Sequence, residues 1–534
     1  MANNPPAAKN DSERPPNAMV GSLATNIEIV SLICGFLDTS TLASFARTAR
    51  IFTEPSLNSL WKEQKDLVPL FQCFPPDLWS RGPTVKKEVN VAWEVLTFRR
   101  PLGQNDWPRF NFYAHRIRKL EGVHPSRNQR RCDIHANVIA ELMAYRPVRT
   151  FFPNLQTIVY SRSWIMDVAA TPFGQFLLGP CLTEVNIAVS DLPEHGDQGS
   201  SSLEMMCVSL QRLCPNIKSL SFYDLEQAPI RAMPAVYQLI RSQNHLEMLC
   251  MKSATPSEEL LSHLSKIPVL HTLVFVRIPS THMQFYTTRD GQFPCLHTFV
   301  FEAPNWIHAA LVVTAMQRSF RSLSIRTLDT EPVSALGSFV DSLKWHPALK
   351  TLVYLNVTAR RLHLGTPPDP LQVPHALRVL FFCSTLQQLQ LHSPAFQDLD
   401  DVWLEGAANA WPALTALTIT VAPAQTASRI TLKGLVPLIK TCPLLTTLRL
   451  PLLAIPVDLK NLDGARNYAV TKLALEHSVI TLPGLVFRTL IVMFPNLSGI
   501  EYMYTEKDNG LQGQAYIAWK AVDELLRATI TGSG

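Results

Sequence analysis

The sequence predicts an α/β solenoid of strand–helix units, led by a small all-α module. Three observations predict it. A short apolar phrase recurs along most of the chain, helical patterning fills the intervals between its copies, and residues 23–61 are patterned as three short helices.

The phrase has the form P-x-L-x-x-L-x-φ, with φ apolar, as in FPNLQTIVY, CPNIKSLSF, HPALKTLVY, CPLLTTLRL and FPNLSGIEY. Its first apolar position falls on Leu155, Leu182, Ile217, Leu246, Leu270, Leu296, Phe320, Leu349, Leu386, Leu414, Leu445, Val470 and Leu497, thirteen positions spaced 24 to 37 residues apart. Prolines 153, 180, 215, 268, 294, 347, 412, 443 and 495 stand before nine of them; the units at 320, 386 and 470 are the least regular. Between copies, Leu203, Met206, Cys207 and Leu210, and again Leu432, Leu435, Val436 and Ile439, follow the i, i+3, i+4, i+7 rhythm of a helix face. Proline then stops the helix and biases the residue before it towards extended backbone. Each unit therefore reads as helix, stop, short strand, loop, and a period of this length with one strand and one helix is the signature of a solenoid.

Residues 150–502 resemble the leucine-rich repeat family, in the form that sets Cys-Pro before the strand (CPNIKSL, CPLLTTL), although the Asn or Cys that closes the family's strand motif is not regular here. The resemblance implies a right-handed horseshoe whose parallel strands line a concave face. On that face it would put the residues flanking the second Leu: Thr157, Thr272, Thr298, Thr351, Thr447, Gln388, Gln390, Arg449, Lys472 and Glu501. Gln388, Gln390, Arg449, Lys472 and Glu501 are the candidate target-binding residues, and the small, weakly polar character of the row suits a protein surface better than a phosphate backbone. Any single threonine is better explained as a good strand residue on a solvated face. The amphipathic YIAWKAVDELLRATI, 516–530, is placed as the cover that a solenoid's open end requires.

The leading module reads LATNIEIVSLICGFLDTSTLASFARTARIFTEPSLNSLW. Thr25 and Glu28 form a T-x-x-E capping box. Ile29, Ile33, Phe36 and Leu37 make one apolar stripe. Asp38, Thr39 and Ser40 can restart a helix. Leu42, Phe45, Ala46, Ala49 and Phe52 make a second stripe, and Pro55 suits the first turn of a third helix with Leu57, Leu60 and Trp61 on one side. So small a module completes its core against a partner or the next domain. The stretch resembles the F-box: an apolar first helix with a Glu, a Phe36-Leu37-Asp38 step, LASFA at 42–46 and PSLNSLW at 55–61, with Thr25-Asn26 where the family opens on Leu-Pro. The resemblance implies docking on a Skp-type adaptor within a cullin complex, through Ile27, Glu28, Ile29, Ile33, Leu37 and Leu42; Phe36, Phe45 and Trp61 are assigned to the module's own core. DWPRFNFYAHRIRKL and RPVRTFFPNLQTIVY are further similar to F-box proteins of mushroom-forming fungi.

Between module and repeats, Arg99, Arg100, Arg109, Arg116, Arg118, Lys119, Arg127, Arg130 and Arg131 face only Asp106 and Glu121, a net +7. The stretch reads either as a solvated join and first solenoid cap, or as a site for an acidic or phosphorylated partner. Trp79, Trp93 and Trp107 mark it as packed. The expected organisation is a disordered tail at 1–18, the F-box at 19–72, the join at 73–146, repeats at 147–502 and a cap helix at 503–534.

Hydrophobic residues make up 47% of the chain and charged residues 17%, so a large interior is expected, and a net charge of +5 is small for a general nucleic-acid or membrane-surface binder. MANNPPAAKNDSERPPN has no apolar run and reads as a tail, not a secretory signal. Cysteines 181, 214, 295 and 442 beside the phrase read as small buried fillers in a reducing compartment, cytoplasm or nucleus. No phosphate-cradling glycine loop, no H-E-x-x-H or C-x-x-C, and no G-x-S-x-G occurs. The expectation is a non-enzyme without metal or cofactor, and the two resemblances together imply the substrate-recognition subunit of a ubiquitin ligase. The open alternatives are a leucine-rich-repeat scaffold unconnected to ubiquitin, and an enzyme on a repeat scaffold, which a bound cofactor or metal would mark.

Overall fold

A computed structural model describes residues 26–65, 67–85, 92–121, 132–145, 150–160, 176–189, 197–225, 228, 230–252, 256–275, 293–316, 318–363, 372–421, 428–503 and 511–531. The tail at 1–18, Thr25, Arg127, Arg130 and Arg131 lie outside them. The chain forms two compact units, residues 1–220 with 227–243, and 221–226 with 244–534. A parallel sheet of 15 strands takes its strands in the order the chain supplies them. Parallel neighbours of this kind need a crossover between successive strands, and among the described residues the helices Met233–Ser242, Trp306–Ala315 and Asp401–Ala410 lie in such crossovers. The α/β class and the plan of one strand per repeat are those the sequence predicts.

The first unit begins with three helices: α1 (Ile27–Cys34), α2 (Thr39–Phe45) and α3 (Arg50–Lys62). Asn26, not Thr25, caps α1, its side chain accepting the N–H groups of Glu28 (2.9 Å) and Ile29 (3.4 Å). Asp38 caps α2 by accepting from Thr41 N (2.8 Å). Pro55 lies inside α3 and not in its first turn. The helix starts earlier than expected because Phe52 stacks on Phe45 at 4.3 Å and draws residues 50–54 into it. Val30, Cys34 and Leu42 form the buried core of this bundle, with Leu37, Phe45, Phe52 and Leu60 packed against it.

The end of α3 runs straight into the first strand of the sheet, Glu63–Gln64, which pairs in parallel with Lys119–Glu121. Lys119–Glu121 in turn pairs with Thr157–Tyr160, and that strand with Glu184–Ala188. The join therefore supplies a strand: Ile117 and Leu120, both fully buried, hold the places of the two leucines of the phrase. A separate three-stranded sheet, Trp79–Val85, Ala92–Phe98 and Cys132–Ile134, also belongs to the join. Beside it Phe71, Phe74, Trp107, Phe110 and Phe151 pack ring against ring at 4.8 to 6.5 Å.

In the second unit each strand starts two residues after the first Leu of its phrase: Leu270 precedes Thr272–Phe275, Leu296 precedes Thr298–Ala303, Leu386 precedes Gln388–His392 and Leu414 precedes Ala416–Thr420. One position departs from the sequence reading. Leu349 sits in the turn Pro347–Lys350, and Leu352 takes the first-Leu place before the strand Tyr354–His363. Pairing fixes this register, since Leu355 lies level with Leu323 on one side and Leu389 on the other. Thr351 accordingly leaves the strand face, and its hydroxyl donates to the Phe320 carbonyl (2.9 Å).

The turn before each strand explains the proline. The carbonyl of the residue three before the first Leu accepts the N–H of that Leu: Phe152 from Leu155, Trp411 from Leu414, Cys442 from Leu445 and Phe494 from Leu497, at 3.0 to 3.2 Å, and Trp411, Cys442 and Phe494 also end the helix before the strand. Proline fills the second position of this four-residue turn, where its fixed φ fits and its missing N–H is not needed. The unit at Val470 lacks the proline; there the buried Asn467 accepts from Ala469 N (2.8 Å) and Val470 N (2.9 Å) and donates to Leu445 O (3.0 Å). The turn also sorts the cysteines. Cys214, Cys383 and Cys442 occupy the helix-ending place and are buried, whereas Cys181 and Cys295 sit next to the Leu on the outer side and are exposed, contrary to the filler role expected of them.

Candidate functional site

Two surfaces carry the residues singled out from the sequence, one in each unit. The first is the outer side of α1. The segment IEIVSLIC is apolar on two sides, and only one can be buried: Val30 and Cys34 turn inward. The other side carries Ile29, Leu32, Ile33 and, just beyond the helix, Phe36, linked by i+3 and i+4 steps that place them on one flank. Leu32 is 67% exposed, Ile33 45% and Phe36 89%. Ile27 and Glu28 are exposed as well, and Ile29 is half-buried. Of the six residues expected to dock an adaptor, Ile27, Glu28, Ile29 and Ile33 are thus presented outward. Leu37 is half-buried against the module's core, and Leu42 is a member of that core. Phe36 reverses its expected core role, while Phe45 lies half-buried on Phe52 and Trp61 half-buried on the Tyr113 ring at 4.5 Å. Leu32 is absent from the sequence reading because its partners, Glu28 and Phe36, are charged or lie past the helix end.

Four of the nine basic residues of the join, Arg100, Arg116, Arg118 and Lys119, are engaged within its own unit. The Arg100 guanidinium is bonded to Asp106 and Asp77, at 2.7 Å each. This fork holds both carboxyls below the usual carboxylate range. Arg116 is buried against Glu54 (2.8 Å) and lies over the Phe112 ring. Arg118 donates to the Asn154 carbonyl, and Lys119 is paired with Glu121. Pairs of this kind tie the join to α3 and to the first strands.

The second surface is the sheet face of the second unit. Strand residues alternate strictly, with Leu355, Leu389, Leu417, Leu448, Leu473 and Ile500 buried on one side. The opposite side presents Tyr354, Asn356, Gln388, Gln390, Thr418, Arg449, Lys472 and Glu501. All five candidate target-binding residues, Gln388, Gln390, Arg449, Lys472 and Glu501, stand on this side, on strands that neighbour one another in the sheet. They do not act independently. Arg449 bridges Glu476 and Glu501, at 3.3 Å each. Glu476 is 6% exposed and has φ of +35°. Burial pushes its carboxyl pKa up, against the pull of Arg449. Tyr354 donates its hydroxyl to Gln390 Oε1 (3.1 Å), and Thr358 donates to Asn356 Oδ1 (3.1 Å). Arg326 is paired with Glu302 (3.1 Å). The sequence marks these side chains as outward-facing by period alone and carries no signal for the Arg449, Tyr354 and Arg326 pairings, because each of those joins residues from different repeats.

Among the described residues no group of three or more His, Cys, Asp or Glu side chains is arranged to hold a metal ion, and no helix is long and apolar enough to cross a membrane. Cysteines 34, 73, 181, 207, 214, 250, 295, 383 and 442 are unbridged. Burial pushes the Cys207, Cys214 and Cys383 thiols up to about 12, which leaves them protonated and inert at neutral pH.

No protein-family model matches the chain. No curated protein matches it either. Two of the solved structures to which it is similar are a chain in the crystal structure of the Rad7 and Elc1 complex in yeast (TM-score 0.35, 11% identity, covering 93% of this chain and 94% of that one) and the leucine-rich repeat-containing protein LegL7 from Legionella pneumophila (TM-score 0.30, 9% identity, covering 74% and 96%).

Proposed function

We propose that this chain is the non-catalytic substrate-recognition subunit of a Skp–cullin–F-box type ubiquitin ligase, of the kind its sequence resembles in mushroom-forming fungi. The three-helix module docks a Skp-type adaptor, the repeats hold a target protein, and the complex works in the cytoplasm or nucleus. The gain in rate comes from raising the target's effective concentration near the conjugating enzyme, so no reacting side chain is required of this chain.

The observation that carries this reading is the exposed flank of α1. A module that only capped a solenoid would turn its apolar residues towards the repeats. Here Leu32, Ile33 and Phe36 remain outside while Val30 and Cys34 already close the core. Large exposed apolar side chains on one flank mark a protein contact, and the F-box resemblance gives the kind of partner. A repeat scaffold with no link to ubiquitin keeps the target face but has no use for that flank.

The test is capture of a purified Skp-type adaptor by the full chain. Leu32→Asp with Ile33→Asp is expected to weaken capture at least a hundredfold, because each charge must enter an apolar contact. Both positions are exposed, so thermal unfolding should not change. Capture that survives the double change would remove the docking flank and with it the ligase assignment.

A further inference from the structure

On the reading above, that the sheet face holds the target, its chemistry selects the class of segment it can hold. The strands from Ser322–Pro332 to Ala416–Thr420 present Ser322, Ser324, Tyr354, Asn356, Gln388, Gln390 and Thr418 at their first two outward positions, and none of these is charged. Among the described side chains of this face, cations stand beside these positions and not at them. Arg326 is held by Glu302, and Arg449 is shared between Glu476 and Glu501. A phosphate needs an unengaged guanidinium fork or several convergent donors. To seat one on Arg449, the chain would have to strip the pairing from Glu476, a carboxylate that is 6% exposed and would be left uncompensated. Lys472 alone offers a single point charge.

The carboxamides point to what the face does accept. Gln390 Oε1 receives the Tyr354 hydroxyl and Asn356 Oδ1 receives the Thr358 hydroxyl. In both, the acceptor end is engaged by the protein's own side chains and the NH2 end is left to donate. Two donors on adjacent strands, about 5 Å apart, flanked by a phenol ring and an exposed Gln388, form a neutral, donor-rich strip.

We propose that the strip at Asn356, Gln388 and Gln390 binds an uncharged, unphosphorylated peptide segment, with Asn356 and Gln390 donating to its main-chain carbonyls. The target then needs no phosphate mark to be recognised at this face, and the margins select against clusters of either sign.

The experiment displays two random peptide libraries, one unphosphorylated and one phosphoserine-containing, to the purified full chain. Affinities of the enriched peptides are then measured for the parent protein and for Asn356→Asp with Gln390→Glu. Those changes keep size and keep an acceptor for Thr358 and Tyr354, but they replace the outward donors by oxygen. The expected result is enrichment of neutral unphosphorylated peptides, with affinity lowered tenfold or more in the double variant. Enrichment of phosphorylated or acidic peptides overturns the proposal, as do neutral peptides that bind the variant equally well, or no enrichment from either library. Adaptor capture by the same preparation separates the two readings: its retention alongside any of those results sinks the peptide strip alone, and its loss sinks the ligase assignment.

Discussion

His346 shows how much one side chain can settle at the turn that leads into the Tyr354–His363 strand. It is 4% exposed, its Nδ1 accepts the Ala348 N–H (3.1 Å), and its ring lies parallel to Phe320 at 5.8 Å. Burial brings its pKa down to about 4. In the unfolded chain an imidazole titrates near 6.5. The unfolded state therefore takes up the proton first as pH falls. The stability due to a neutral His346 is fully present above pH 6.5 and is lost progressively towards pH 4, by up to about 3 kcal/mol. Denaturation by urea should show the midpoint falling over that window. His346→Asn, which keeps an oxygen for Ala348, should flatten the fall; an unchanged slope would place the titration elsewhere. At the same scale, sequence patterning grouped Ile29, Ile33, Phe36 and Leu37 in one stripe, whereas the structure presents Ile29, Ile33 and Phe36 outward and packs Leu37 on the core. A helix apolar on two sides gives periodicity no means of choosing, and the choice falls to Val30 and Cys34 because they meet Leu42.

At the scale of the element, the turn before each strand governs which residues can be modified. Position relative to the first Leu, not proximity to it, decides burial. The folded protein should thus react rapidly with a maleimide at Cys181 and Cys295, while Cys214, Cys383 and Cys442 react only on unfolding. Mass mapping of the labelled peptides checks this, and rapid labelling of Cys442 in the native state would contradict the turn as described. The sequence made most strands legible because each carries its own proline and leucines. It misplaced the Tyr354 strand for a definite reason. HPALKTLVYL satisfies the phrase twice, from Leu349 and from Leu352, and only pairing with Ser322–Pro332 and Gln388–His392 selects the second. The strand at Lys119–Glu121 was missed because IRKLEG lacks the proline and lies in the basic join ahead of the first phrase, although Ile117 and Leu120 fill the two apolar places and are fully buried.

At the scale of the whole molecule, the chain's composition already implied a long stacked interior, since hydrophobic residues outnumber charged ones 47% to 17%. Stacking leaves a final layer to be covered. In the second unit the helix Leu511–Thr531 lies on the helix Pro483–Met493, burying Ala515, Trp519, Val522 and Leu526 at helical spacing, and Trp519 Nε1 donates to the Ser478 carbonyl (2.8 Å). Removal of residues 511–534 should uncover that layer, lower the melting temperature by several degrees and bring self-association visible by light scattering. A truncated protein that stays monomeric with an unaltered melt would show that the helix covers nothing. The pairing that turns the target face from a row of charges into a neutral strip was not legible at all, because Arg449 meets its carboxylates only after three repeats have been laid side by side.

The misplaced turn at Pro347–Lys350 has one more effect. Three extra residues are accommodated there, yet Leu323, Leu355 and Leu389 remain level across the strands on either side. The bend takes up slack, and the ladder never feels it. Coil length can drift from one repeat to the next while the recognition strip keeps its spelling. A deletion or insertion is harmless at the bends and ruinous within the few paired residues that follow them.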